Sequence, residues 1–123
     1  MRFDELSNRV IGHAIEVHRE LGPGLLESTY EQCLAYELSK DNISFKLQHS
    51  LPVFYKSVRI DCGYRVDLLV EDSLLLELKS VEQIKNIHKA QILTYMRLAN
   101  ISKGLLINFN TELLKQGIKR FVL

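Results

Sequence analysis

The sequence predicts an α/β fold with a mixed central sheet flanked by helices, and three observations predict it. Apolar residues recur at helical spacing up to Lys40. The spacing switches from 3.6 to 2 after Asp41-Asn42. A helical stretch at 82–99 then separates two further strand-like runs from the earlier ones.

From Asp4 to Leu21 the apolar positions Leu6, Val10, Ala14, Val17 and Leu21 follow a helical period, with Asp4 placed as the N-cap. Gly22-Pro23-Gly24 ends that helix, because proline cannot continue the hydrogen-bond ladder and glycine tolerates the turn. A second helix is expected over 26–40, with Tyr30, Cys33, Leu34 and Leu38 on one side. Residues 43–61 read as one or two short strands broken near Pro52. In 64–70 the alternation puts Tyr64, Val66, Leu68 and Val70 on one face and turns Arg65 and Asp67 to the other. Glu71-Asp72-Ser73 reads as a turn, and 74–79 as a strand that buries Leu74, Leu76 and Leu78 while Glu77 and Lys79 share the opposite face. The third helix, 82–99, is expected to bury Ile84, Ile87, Ile92, Leu98 and Ala99, with His88, Gln91 and Tyr95 inside the same arc. Strands at 104–109 and 118–123 complete the pattern, and no repeat or linker interrupts it.

The length of 123 residues suits one domain over 1–123, and 46% apolar with 25% charged residues is the composition of a soluble globular chain. Cys33 and Cys62 form no metal-binding or redox pattern, which points to a reducing, cytoplasmic setting. No apolar run approaches the roughly 18 to 20 residues that span a bilayer, so no membrane association is expected. A net charge of +1 provides no global basic field, but Lys79, Lys85, Lys89, Arg97 and Lys103 face only Glu82 between 79 and 103. That strip suits an anionic partner or, more plainly, a solvated helix face. A homodimer would double it.

The 64–79 hairpin carries the chemistry. A three-residue turn pairs Val70 with Leu74 and hence Asp67 with Glu77, whereas a two-residue turn would put Asp67 opposite Leu76 or Leu78 on the apolar face. The hydrophobic pattern thus selects the register that brings the two carboxylates together. Charges about 5 Å apart repel by roughly 3 kcal/mol at an effective dielectric near 20, so something must offset them. A divalent cation would do so through oxygen ligands; ion pairs from Lys79 to both acids are the plainer alternative. Gln91 and Tyr95, one helical turn apart on the predicted core stripe, form either a satisfied polar network or the wall of a site. Glu27 and Tyr30 face the same way as Leu34, and Glu27 also complements the dipole at the start of its helix.

The motif Gly24-x-x-Glu27-x-x-Tyr30, followed in order by Arg65-Val66-Asp67, Glu77-Leu78-Lys79 and Lys89-Ala90-Gln91-x-x-x-Tyr95, resembles the small prokaryotic GxxExxY proteins. Those in turn resemble the PD-(D/E)XK nuclease superfamily, especially its RecB-like branch, and the likeness spans 6–109. Val66 stands where the superfamily name has proline. The resemblance implies a restriction-endonuclease-like αβββαβ core and a nuclease that hydrolyses phosphodiesters in DNA or RNA with Mg2+ or Mn2+. It makes Asp67, Glu77 and the Leu78 carbonyl the metal ligands. Lys79 would orient or deprotonate the attacking water and stabilise the phosphate charge. Glu27 would hold a water of the metal, and Tyr30, Gln91 and Tyr95 would support the site or the substrate. The alternative is a binding or assembly module with the same fold and no turnover, since the chain has no tryptophan and little net charge.

Overall fold

A computed structural model describes residues 4–123. Helices α1 (Glu5–Leu21) and α2 (Glu27–Lys40) precede strands β1 (Phe45–Tyr55), β2 (Val58–Val70) and β3 (Leu74–Lys79). Helix α3 (Asn86–Ala99), β4 (Lys103–Asn108), a 3-10 turn (Leu114–Gly117) and β5 (Ile118–Val122) follow. The strands form one mixed sheet in the order β1-β2-β3-β4-β5, with β3 and β4 parallel and the other neighbours antiparallel. The α/β class and the αβββαβ core are therefore present, extended by α1 and β5.

Asp4 caps α1 as its position predicts, accepting a hydrogen bond from the Ser7 N–H at 2.9 Å. Val10, Ala14 and Val17 of α1 and Tyr30, Leu34 and Leu38 of α2 pack on one face of the sheet, against Leu68, Leu76, Leu105 and Ile107. Ile92 and Met96 of α3 pack on the other, against Leu51, Val66, Leu75 and Leu106. With both faces covered, β3 and β4 are apolar almost throughout, as buried parallel strands must be. Gly104 lets α3 approach β4, since a Cβ there would lie 2.7 Å from Met96 Sδ. Cys33 and Cys62 are free thiols.

Several sequence expectations need correction. Pro52 does not break a strand: β1 runs through it as the sheet edge, where a missing N–H is tolerated, and the pairing with β2 only shifts register between Leu51 and Val53. The chain turns instead at Lys56-Ser57, both at positive φ (49° and 71°), so β2 begins at Val58 rather than Tyr64. The alternation in β2 reverses at Asp67. Val66 packs under α3, whereas Leu68 and Val70 face α1 and α2, and Tyr64 is exposed. Helix α3 starts at Asn86 rather than 82, because His88 Nδ1 accepts the Lys85 N–H and closes the helix there. The buried stripe runs through Ile92 and Met96, which pack on Leu51, Leu75 and Leu106, while Ile84 precedes the helix and Ile87 is 61% exposed.

Candidate active site

The expected Val70–Leu74 register is present, and it continues through Leu69–Leu75 to Leu68–Leu76. Beyond that pair side chains take over from the main-chain ladder. The Asp67 N–H donates to Glu77 Oε1 at 3.1 Å, and the Leu78 N–H donates to Asp67 Oδ2 at 2.8 Å. The two acids are brought together as the hairpin pattern requires, each bound to backbone of the opposing strand.

Electrostatics at this junction are unfavourable to two bare charges. Glu77 is 7% exposed, and burial, then the nearby Asp67 charge, push its carboxyl up to about 8. Burial likewise raises Asp67, opposed by the Leu78 N–H, by Gln48 and by the Lys79 charge. Lys79 is close enough to favour the ionised form of both acids, yet among the described residues it makes no ion pair within 4 Å. The alternative in which Lys79 neutralises both acids by direct ion pairs is not what the structure forms.

From α2, Glu27 reaches the end of β3, where its Oε2 accepts the Ser80 N–H at 3.1 Å, while Ser80 Oγ donates to the Leu25 carbonyl at 2.6 Å. The expectation that Glu27 leans toward the packed side is corrected. Its side chain is exposed and bridges to the strand, and its charge raises both Asp67 and Glu77. Tyr30 is fully buried, stacks on Phe109 at 4.3 Å, donates its hydroxyl to the Gly22 carbonyl (2.6 Å) and accepts from the Leu25 N–H (3.1 Å). It pins the loop in which Gly24 takes a φ of 96° and so sets where Glu27 begins; its hydroxyl is spent on that loop.

Helix α3 supplies the other wall. Tyr95 is partly buried, its ring 6.1 Å from that of Tyr64, and burial followed by the Glu77 charge raises its phenol. Gln91, expected on the core stripe, is exposed one turn earlier, and among the described residues it has no hydrogen-bond partner. The face that α3 buries runs through Ile92 and Met96, and Gln91 lies off it.

Three participants were not anticipated. Glu31, 8% exposed, accepts from Gln48 Nε2 at 2.6 Å, and the same nitrogen lies 3.2 Å from Asp67 Oδ1. Burial raises the Glu31 carboxyl, the Gln48 contact opposes this, and the Asp67 charge adds to it. A signal for Glu31 was available, since it follows Glu27 by one helical turn. None existed for Gln48. The third, Asn108 at the end of β4, accepts from the Val81 N–H (3.0 Å) and donates to the Val81 carbonyl (2.9 Å), tying down the segment after Lys79.

The donor set fits a hard divalent cation. A carboxylate oxygen accepts at about two positions; each Asp67 oxygen and Glu77 Oε1 use one, and no hydrogen bond reaches Glu77 Oε2 among the described residues. No group of three or more His, Cys, Asp or Glu among the described residues forms a complete metal cage. Two carboxylates and a carbonyl are nonetheless what an ion that keeps waters and takes substrate phosphates requires.

A mixed sheet covered on both faces, with an acid on one strand and Glu-x-Lys on the next at their shared end, defines the class of restriction-endonuclease-like proteins. A family model described as the PD-(D/E)XK nuclease superfamily matches residues 4–121, and the chain belongs to that superfamily. Comparison with curated proteins returned no match. No helix among the described residues is long and apolar enough to cross a membrane.

Proposed function

We propose that the protein is a metal-dependent nuclease that cleaves phosphodiester bonds of DNA or RNA by attack of water. The observation that carries this reading is the Asp67–Glu77 junction, where two carboxylates with raised proton affinity lie near Lys79, which makes no ion pair within 4 Å among the described residues. Asp67, Glu77 and the Leu78 carbonyl would hold Mg2+ or Mn2+, which when bound supplies Lewis acidity to water and phosphate oxygens. Glu77 must release its proton to serve as a ligand, which makes affinity rise with pH. Lys79 orients the attacking water and offsets charge on the scissile phosphate. Glu27 accepts a hydrogen bond from water at the mouth of the site, and Tyr95 closes the α3 side. Gln91, exposed on the same helix, would meet substrate rather than metal. The water oxygen bonds to phosphorus as the phosphorus–oxygen ester bond breaks, leaving a phosphate monoester and a free hydroxyl.

The test is cleavage of plasmid, linear duplex, single-stranded DNA and structured RNA with Mn2+ or Mg2+, comparing the wild type with Lys79→Ala. Metal-dependent cutting lost in the variant supports the proposal. Folded wild-type protein that binds Mn2+ and cuts nothing overturns it in favour of a binding module.

A further inference from the structure

Gln48 sits in the middle of β1 at φ 49°, a left-handed conformation that a non-glycine residue in a strand adopts only at a cost of about 1 kcal/mol or more. The β1–β2 ladder has a gap at this point: Leu47 pairs with Leu68 and His49 with Val66, and the intervening Gln48 and Asp67 are not partners. The twist points the Gln48 amide at two acids on different elements, Glu31 of α2 at 2.6 Å and Asp67 of β2 at 3.2 Å.

Stability does not account for this. Gln48 is itself exposed, and among the described residues Glu31 is buried against a single hydrogen-bond donor, an arrangement that an apolar side chain of similar size would replace at no loss. The arrangement does fix Asp67. One of its oxygens is held by Gln48 and the other by the Leu78 N–H, so rotation of the carboxylate plane is blocked from both sides.

We propose that Gln48 and Glu31 are positioning residues for a divalent cation, the buried Glu31 carboxylate anchoring the Gln48 amide and the amide orienting Asp67. The inference rests on the metal-dependent reading above and adds two residues to it. Groups that orient a ligating carboxylate change metal affinity by roughly 10- to 100-fold when removed.

The experiment is calorimetric titration of Mn2+ alone into the wild type, Gln48→Gly, Glu31→Leu and Glu31→Gln, each checked for folding by circular dichroism. Glycine relieves the strained backbone while deleting the amide, which offsets part of what Glu31 loses with its donor, so Gln48→Gly is expected to fold yet bind Mn2+ about tenfold or more weakly. Glu31→Leu should match it. Glu31→Gln keeps an oxygen for the Gln48 amide and should return affinity to near the wild-type value. Unchanged affinity in Gln48→Gly, beside a wild type that binds, overturns the positioning role and leaves the nuclease reading standing. A folded wild type that takes up no Mn2+ overturns both.

Discussion

Replacing Glu77 by glutamine should stabilise the metal-free protein. In the fold its carboxyl is pushed up to about 8, against 4.5 for an ordinary glutamate. Between those values the native state keeps a proton that the unfolded chain releases, so stability falls as pH rises from about 4.5 and levels off above about 8. At about 1.4 kcal/mol per pH unit the penalty reaches about 3 kcal/mol at pH 7 and ~5 kcal/mol once the group is fully ionised. Glutamine carries no charge and retains an oxygen for the Asp67 N–H, so Glu77→Gln removes the penalty without cutting the β2–β3 contact. Denaturation in chelator should show the variant ahead by about 3 kcal/mol at pH 7, roughly 10 °C in Tm for a chain of this size. The gap should close by pH 4. Mn2+ should reverse the order, since a concentration of about a thousand times the Kd stabilises the wild type by about 4.1 kcal/mol and the variant has lost a ligand. Equal stability of the two proteins in chelator at pH 8, or a gain that persists unchanged at pH 4, would refute the reasoning.

Tyr30→Phe keeps the stacking on Phe109 but loses both hydroxyl hydrogen bonds, and should cost about 1–3 kcal/mol by denaturant titration while weakening any activity that depends on Glu27. Asp4, held at about 2 by the Lys103 ammonium and the Ser7 N–H, contributes stability that is present above pH 3.8 and lost as pH falls through about 2. Because that pair is partly exposed, Asp4→Asn should cost less than about 1 kcal/mol at pH 6, a difference that is largely lost by pH 2 and gone below it in an acid-unfolding series. At the Lys56-Ser57 turn, where both φ values are positive, the double change Lys56→Asn, Ser57→Gly should raise stability by about 0.5–1 kcal/mol, read as a higher denaturation midpoint at unchanged slope.

Local pattern made most of the architecture legible. The helical spacing of Val10, Ala14 and Val17 and the turn at Glu71-Asp72-Ser73 depend on neighbours within a few residues, and the structure follows them. The Asp67–Glu77 meeting was legible for the same reason, because register follows from one turn and one apolar face. Long-range causes were not legible. Asn108 fixes the segment after Lys79 from a strand nearly thirty residues later, and α3 starts where His88 Nδ1 accepts the Lys85 N–H. Which face of α3 is buried is set by the packing of Ile92 and Met96 on Leu51, Leu75 and Leu106, which leaves Ile87 and Gln91 exposed. Lys56-Ser57 carries none of the usual Asn-Gly signal of a two-residue hairpin turn. The reversal of alternation at Asp67 arises from side chains replacing ladder bonds, which a period-2 reading assumes away. Glu31 was within reach as a second acid on the face of Glu27, but its link to Asp67 runs through Gln48, whose backbone no propensity foretells.

Where β2 and β3 part, the carboxylates of Asp67 and Glu77 stand in for missing main-chain acceptors. Selection for a sound sheet therefore keeps an oxygen-bearing side chain at both positions whether or not hydrolysis is still under selection, because an alanine would leave a half-buried N–H unanswered. Drift away from activity in descendants of such a protein should pass first through Asn and Gln at these sites and through Lys79, which carries no comparable structural duty. In any collection of such sequences, the lysine is therefore the better witness to a working enzyme than the acids beside it.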